Sequence, residues 1–197
     1  FDFFKTGCYD KNREFILTSS PSMDILISSN LERLVYLCCG SDPKKNAALM
    51  AGLNREGKYE IDEDMRKKLD DFYGAYAGED KVFETIKNLY EKTGYIIDTH
   101  TAVATAADLI YKAEGMDDNK SVIVSTASPY KFTRNVMKAI GKGDDDTDDF
   151  VLVDELSKLS GVKVPPAVEE IRNARILHDT VCEVSEMKEI VRKSLIQ

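Results

Sequence analysis

The sequence predicts an α/β fold that is rich in helix, with a short parallel sheet and a helical C-terminal region. Residues 121–132 (S-V-I-V-S-T-A-S-P-Y-K-F) have the pattern of a short apolar strand, a turn and a helix. Amphipathic helical patterns precede this segment, and mostly helical patterns follow the Asp-rich stretch at residues 143–149. A helix, a strand and a helix in succession are typical of an α/β unit.

Capping residues and periodic apolar positions predict the helices in chain order. Asp42 before Pro43 predicts one helix start, Asp98 is a candidate N-cap, and Gly94 is a candidate stop. The predicted helices cover residues 24–40, 43–57, 62–73, 79–93, a run from residue 99, residues 129–140, 154–159 and 166–172, and a last run from residue 185.

Strand-like composition is confined to short runs. We predict strands at residues 15–18 and 122–124 and a further one near residues 180–184, while residues 7–10 have the composition of a turn. The strand at residues 122–124 is central to the prediction, because the carboxyl end of a strand in an open α/β sheet is where ligands bind.

Charge and cysteine usage exclude several classes of function. The 197 residues carry 27 Lys and Arg against 35 Asp and Glu, a net charge of −8 that disfavours nucleic acid and anionic membranes as partners. Four cysteines form no C-x-x-C pair, and His100 and His178 lack the spacing of a zinc helix. We expect reduced thiols, no metal site and a cytoplasmic protein without a membrane span.

The Asp-rich stretch is the strongest candidate for a domain boundary. We predict one domain at residues 1–143 and a helical region at residues 144–197 that packs against it. Four acidic residues have the spacing of a calcium-binding loop, but Asp149 stands where such loops need glycine, so a solvated loop is the preferred interpretation. The acidic residues with that spacing are Asp144, Asp146, Asp148 and Glu155.

Hydroxyl groups at the end of the central predicted strand are candidate ligand contacts. Ser125 and Thr126 end the strand, and Ser128 can cap the following helix, whose N-terminus favours anions. The same hydroxyls are equally explained as a turn saturated with side-chain hydrogen bonds. Residues 98–101 (D-T-H-T) suit either helix capping or an anion-binding edge, and no nucleophile signature accompanies His100.

Three blocks of the sequence resemble the C-terminal part of threonine synthases. They are residues 21–34 (P-S-M-D-I-L-I-S-S-N-L-E-R-L), 98–104 (D-T-H-T-A-V-A) and 125–132 (S-T-A-S-P-Y-K-F). Because the blocks follow the family's order, the resemblance covers most of residues 1–138. Many members of the family have proline where this chain has Thr99, a change that affects stiffness more than chemistry.

The resemblance implies an incomplete large domain of a pyridoxal phosphate (PLP) enzyme of fold type II, the tryptophan-synthase-like fold. It implies a PLP-dependent lyase of threonine biosynthesis that converts O-phospho-L-homoserine and water to L-threonine and phosphate. By motif match, Thr126 faces the pyridine nitrogen, with Ser125 as the competing candidate for that cofactor contact. Lys131, Ser128 and His100 are candidate substrate contacts, although a solvent-facing position explains Lys131 at least as well.

Two features of the family have no match in this sequence. The block with the Schiff-base lysine is absent, since no Ser-x-Lys-Asp-like segment occurs, and so is the glycine-rich phosphate loop. We therefore expect a fragment in which residues 1–143 are part of the PLP-binding large domain, with no catalytic residue and no activity alone. Its expected partner is the missing N-terminal portion of the same enzyme, and uncovered apolar surface predicts self-association.

Two other functions fit the same residues. Another fold type II lyase or dehydratase would share the pyridine-facing hydroxyl, and its substrate choice would depend on residues that are not present in this sequence. A non-catalytic binding module is also consistent with the absence of the lysine block. Cofactor binding separates the module from the enzymes, and substrate turnover separates the two enzymes.

Overall fold

The protein is described by a computed structural model over residues 1–117 and 119–196, and most of its regular structure is helical. The α-helices are α1 (Asp2–Thr6), α2 (Leu31–Cys38), α3 (Pro43–Glu56), α4 (Glu63–Lys67), α5 (Glu79–Thr93), α6 (Thr99–Ala113), α7 (Thr133–Ala139), α8 (Asp149–Ser160), α9 (Pro166–Arg172) and α10 (Met187–Ile196). Short 3₁₀ helices lie at Pro21–Met23, Pro129–Phe132 and Val184–Glu186, and the strands are β1 (Cys8–Asp10) and β2 (Lys58–Glu60).

The small sheet differs in place and direction from the predicted one. Strands β1 and β2 pair antiparallel, with Tyr9 opposite Tyr59 and their rings stacked at 5.4 Å. The turn prediction for residues 7–10 is wrong beyond Gly7, which ends α1 with a φ of 77°. The α/β class and the small sheet are confirmed, but the predicted parallel direction is wrong, since β1 and β2 pair antiparallel and the described residues contain no parallel strand pair.

The three predicted strands do not form in the described residues. Residues 15–18, 122–124 and 180–184 have no strand assignment, and their apolar side chains are largely exposed, with Val122 at 89% and Val181 at 92%. A strand needs a neighbouring strand to satisfy its backbone groups. Strand-like composition without a partner therefore does not give a strand.

Most helix predictions are confirmed, and the exceptions have local causes. Helix α2 begins at Leu31 rather than at Asp24, whose carboxylate instead accepts hydrogen bonds from the amide and hydroxyl of Thr18 at 2.8 and 2.6 Å. Such side-chain bonds compete with helix formation. Helix α8 begins at Asp149 because Asp148 supplies the N-cap, well before the predicted start at residue 154.

Two groups of buried side chains form the interior of the first part of the chain. One group surrounds the sheet and helices α1 to α4, and the other lies where α5 packs on α6 and α7, and α7 on α8. The first group includes Phe3, Val35, Leu53, Tyr59 and Met65; the buried residues of α5 to α8 include Ile86, Ala106, Val136, Met137 and Leu152.

The chain divides into two compact units, Phe1–Val164 and a second that begins at Pro165. The predicted boundary between residues 143 and 144 falls inside the first unit, where α7 and α8 pack together. The second unit contains α9 and α10, and Leu195 of α10 is 81% exposed. Residues 118 and 197, which belong to the predicted domains, lie outside the described residues. Among the described residues, no helix is long and apolar enough to cross a membrane.

Candidate functional site

The N-terminus of α6 is organised by a carboxylate that has no exposed surface. Asp98 is the N-cap, as predicted, and its Oδ1 accepts hydrogen bonds from the backbone N–H groups of His100 at 2.8 Å and Thr101 at 3.3 Å. A buried charge is costly unless hydrogen bonds compensate it. The capping bonds meet that requirement and satisfy two otherwise unpaired helix donors.

The first turn of α6 also binds residues 19–22, which follow the first strand-like run. Thr99 donates its hydroxyl hydrogen to the carbonyl of Ser19 at 2.9 Å, and the amide of Ser22 donates to Nε2 of His100 at 3.2 Å. An imidazole that accepts at Nε2 carries its proton on Nδ1. Nδ1 lies 3.4 Å from Oδ1 of Asp98. The His100 side chain, which is 6% exposed, therefore connects Asp98 to the Ser22 amide inside the protein.

A hydroxyl pair connects this turn to the second strand-like run. Thr101 donates its hydroxyl hydrogen to the carboxylate of Asp98, and the Oγ of Ser125 lies 2.9 Å from the Thr101 hydroxyl oxygen. Both strand-like runs, residues 15–18 and 122–124, therefore end at the first turn of α6.

The beginning of the second run is also held by α6. Ser121 donates its hydroxyl hydrogen to Asp108, which in turn lies 2.9 Å from the ammonium group of Lys112. The Ser121 hydrogen bond, followed by that of Lys112, holds the pKa of Asp108 below its ordinary value of 3.8. Residues 121–125 are thus attached to α6 at both ends.

The predicted ligand contacts occupy different environments. Ser128 is an N-cap as predicted, since its oxygen accepts the Tyr130 amide at 3.3 Å. Thr126 is exposed, and within the described residues its hydroxyl has no hydrogen-bond partner. Lys131 is exposed, with its ammonium group 5.2 Å from the centre of the Phe132 ring.

A small cavity of about 130 Å³ lies beside the end of the second strand-like run. We call this end, residues 125–127, the tip. The cavity is lined by residues of three segments: the run before α6, the tip itself and the turn after α8. Tyr130 is 6% exposed and donates its hydroxyl hydrogen to the carbonyl of Val162 at 2.5 Å, which fixes one wall of the cavity. The lining residues include Ile96, Asp98, Ser125, Ala127, Tyr130 and Val162.

Sequence reasoning named residues 98–101 but did not foresee all of their surroundings. It gave no partner for Thr101, whose hydroxyl contacts Ser125 at 2.9 Å. It missed Glu79, which accepts both the amide and the hydroxyl of Ser19 at 3.1 Å. Glu79 lies 60 residues from Ser19, and no local pattern marked it.

The Asp-rich loop is held in place by the side chain of one arginine. Arg134 donates to the backbone carbonyls of Asp144 and Thr147, each at 2.7 Å, and contacts the Asp149 carboxylate at 2.6 Å. The hydroxyl of Thr147 lowers the pKa of Asp144. No group of three His, Cys, Asp or Glu side chains suited to a metal ion occurs in residues 1–117 and 119–196.

The cysteines are unpaired thiols in the described structure. Cys38 and Cys39 are buried, and Cys8 and Cys182 are partly exposed. Burial raises the pKa of the Cys38 and Cys39 thiols, so both remain protonated and unreactive at neutral pH.

Comparisons with known proteins identify relatives of this chain. Residues 101–181 match the family model described as threonine synthase, C-terminal. A threonine synthase of Saccharomyces cerevisiae is 36% identical over 181 residues, which cover 82% of this chain and 34% of the relative. Threonine synthase-like 1 of Homo sapiens is 37% identical over 143 residues, which cover 71% of this chain and 19% of the relative.

Solved structures show the same likeness in the backbone. The crystal structure of yeast threonine synthase has a TM-score of 0.75 and 25% identity, covering 99% of this chain and 40% of that one. A PLP-bound threonine synthase from Brucella melitensis has a TM-score of 0.62 and 30% identity, covering 82% and 33%. The fold is therefore that of part of a fold type II large domain, the predicted class.

Within that class, the chain belongs to the threonine synthase family. It spans about a third of the length of the yeast relative that it matches.

Proposed function

We propose that the chain is the C-terminal part of a threonine synthase, a PLP-dependent lyase that forms L-threonine and phosphate from O-phospho-L-homoserine and water. The single observation that carries this proposal is the family match, which coincides with the site: the matched residues 101–181 include Thr101, Ser125 and Thr126. The structural likeness to a PLP-bound threonine synthase supports the choice of cofactor.

The residues at the tip suit one end of that cofactor. Thr126 offers an exposed hydroxyl without a partner in the described residues, and the nearby Asp98 carboxylate is engaged by its own turn. A neutral hydroxyl fits a pyridine nitrogen and stabilises a positive charge there less than a carboxylate would. When bound, PLP supplies the electron sink of the reaction.

We propose that the other contacts to the cofactor come from a part of the enzyme that lies outside this sequence. This chain has no match to the Schiff-base lysine block or the glycine-rich phosphate loop, so its proposed share is the pyridine end of the site and one wall of the substrate pocket. We keep Lys131, Ser128 and His100 as candidate substrate contacts. The residues 1–143 are proposed to belong to the PLP-binding large domain.

The proposed macromolecular partner is the N-terminal portion of the same enzyme, in the cytoplasm. The strand-like runs at residues 15–18 and 122–124 expose apolar side chains and have no strand partner in the described residues, which suits pairing with strands from that portion. The unpaired thiols agree with a reducing compartment.

A chimeric enzyme tests the function. Residues 1–197 replace the matching C-terminal region of the yeast relative, and PLP absorbance and phosphate release from O-phospho-L-homoserine are measured. We expect a bound-cofactor absorbance band and phosphate release. Thr126→Ala is expected to change the band and to lower turnover by about tenfold or more, as for a lost active-site hydrogen bond; a chimera that binds no PLP contradicts the proposal.

A second candidate is a fold type II lyase with another substrate. It is favoured by the identity to threonine synthase-like 1 of Homo sapiens, which equals that to the yeast threonine synthase within one percentage point. The chimera separates the two, because a PLP band without phosphate release, together with turnover of another amino acid, supports the second candidate.

A further inference from the structure

We propose that His100 is a pH-sensitive switch that holds residues 20–23 against α6 while its imidazole is neutral and releases them when Nε2 binds a proton. In the released state, the Ser22 amide exchanges its imidazole acceptor for the hydroxyl of Ser20. The switch requires neither cofactor nor substrate, so it goes beyond the proposed function and is tested without it.

The amide of Ser22 is a helix donor that needs an acceptor from outside its own turn. The short 3₁₀ helix begins at Pro21, which has no N–H, and the first amides of a helix have no partner inside it. The Ser22 amide donates to Nε2 of His100 at 3.2 Å instead. This hydrogen bond spans 78 residues of sequence and joins the 3₁₀ helix to the first turn of α6.

The direction of this hydrogen bond fixes the protonation state of His100. A backbone N–H only donates, so Nε2 must accept, and the single ring proton lies on Nδ1. Nδ1 lies 3.4 Å from the Thr99 hydroxyl oxygen and 3.4 Å from Oδ1 of Asp98, two acceptors that favour this tautomer. A second proton can bind only at Nε2, where it would point at the Ser22 N–H. The hydrogen bond is then lost.

The imidazole has little room to bind that proton without moving its neighbours. His100 is 6% exposed, and its ring centre lies 4.9 Å from that of Phe132. Among the described residues, Asp98 is the charged group in contact with it. The charged groups on the neighbouring elements contact other residues: Glu79 binds Ser19, Asp24 binds Thr18, and Lys131 lies against the Phe132 ring. The Ser22 amide is therefore the group that has to move.

Ser20 provides a second acceptor for the same amide. Ser20 is 2% exposed, and its Oγ has no hydrogen-bond partner within the described residues. It is the N-cap of the 3₁₀ helix, but its ψ is 63° rather than extended, as is typical of N-caps, and it makes no cap hydrogen bond. An N-cap hydroxyl accepts from the second or third helical residue, here Ser22 or Met23. Rotation of Ser20 to an extended ψ thus satisfies both the hydroxyl and the freed amide.

The attachments of the preceding residue do not depend on a histidine, which confines the motion to a few residues. Thr99 donates its hydroxyl hydrogen to the Ser19 carbonyl, and Glu79 accepts the Ser19 amide at 3.1 Å. Carboxylates ordinarily remain ionised above pH 5, so both bonds persist where an imidazole titrates. Residues 21–23 are exposed, and their release uncovers no buried side chain. Ser19 is therefore the fixed end of the moving segment.

Amide hydrogen exchange of the full chain at pH 7.5 and at pH 5.5 tests the switch. A freed imidazole titrates near pH 6.5, so this change raises the population of the released state about tenfold. We expect the protection factor of the Ser22 amide, corrected for the intrinsic pH dependence of exchange, to fall about tenfold. The amides of Ser19 and Ser28 are internal references and should keep their protection, since Ser28 donates to the Tyr9 hydroxyl at 2.7 Å.

The two histidines of the chain provide matched variants. His100→Gln keeps an oxygen that can accept from Ser22 and that binds no proton in this range, so the Ser22 protection factor should be equal at both pH values. His178 is exposed, and His178→Gln should retain the tenfold fall. Ser20→Ala removes the second acceptor together with a buried unpaired hydroxyl, and should raise the Ser22 protection factor about fivefold at both pH values.

Ring ¹⁵N spectra of the parent chain provide a measurement that needs no variant. We expect His100 to carry its proton on Nδ1 at pH 7.5. The switch would be overturned by a proton on Nε2 at that pH, by a Ser22 protection factor that is equal at both pH values in the parent, or by an equal fall in His100→Gln. Unchanged protection of Ser22 in Ser20→Ala would overturn the role of the Ser20 hydroxyl as the second acceptor.

Discussion

At the scale of single residues, polar side chains of this chain are placed by hydrogen bonds to the backbone and to one another. Asp98 is 0% exposed, yet its oxygens bind three donors of its own turn. Ser20 is the exception nearby, because its buried Oγ has no partner in the described residues. An unpaired buried hydroxyl costs about 1–3 kcal/mol, so this position is locally unfavourable.

Asp108 predicts a pH dependence at the same scale. Because its folded pKa is lowered, its contribution to stability is present above the ordinary value of 3.8 and is lost as the pH falls through the folded value. We expect Asp108→Asn to lower the free energy of unfolding by at most about 1 kcal/mol at pH 6. The difference between Asp108→Asn and the parent should become smaller as the pH falls below 3.8 in urea titrations.

Asp71→Asn is the matched control for Asp108, since Asp71 is exposed and has no hydrogen-bond partner in the described part of the chain. Asp71→Asn is expected to leave the free energy of unfolding unchanged at pH 6 and at pH 3. An effect of Asp108→Asn that is equal at pH 6 and pH 3 would show that the lost charge is not its cause.

At the scale of elements, α6 links the two strand-like runs to the buried helices. Its first turn binds Ser19 and Ser125, its middle binds Ser121, and its Ala106 is 0% exposed against the neighbouring helices. Small residues on α6 permit the close contact with α5. The geometry of the candidate site therefore depends on how α5, α6 and α7 pack.

Removal of a large side chain from α5 tests that dependence. Ile86 has no exposed surface, so Ile86→Ala is expected to lower the free energy of unfolding by about 2–5 kcal/mol, through lost burial and a cavity. Chemical denaturation measures the change. Leu37→Ala, at a side chain that is 62% exposed, serves as the control and should cost no more than about 0.5 kcal/mol; a loss below 1 kcal/mol at Ile86 would contradict the packing.

At the scale of the whole molecule, apolar side chains remain exposed in both compact units. Leu17 and Val122 of the first unit are 78% and 89% exposed, and Ile176 of the second is 80% exposed. Monomeric proteins seldom expose neighbouring apolar side chains in unpaired extended chain. This surface agrees with a chain that pairs with further sequence, as proposed above.

Self-association is the expected behaviour when this surface is left uncovered. We expect the weight-average mass in sedimentation velocity to rise with concentration, and Val122→Lys combined with Val124→Lys to reduce that rise, because charged side chains block edge pairing. Ile176→Lys is the control for a general effect of charge. A chain that stays monomeric at all concentrations, or an equal response to Ile176→Lys, would contradict pairing through residues 122–124.

The sequence by itself determined the family, the caps and most helices, because these depend on local patterns such as Asp98 before Thr99 and Pro129 after Ser128. It also located the hydroxyl tip. Only the tertiary structure decided that the predicted strands stay unpaired and that the sheet is antiparallel, since pairing depends on partners distant in sequence. The contact between Thr101 and Ser125 likewise arises from packing across 24 residues, which no local pattern encodes.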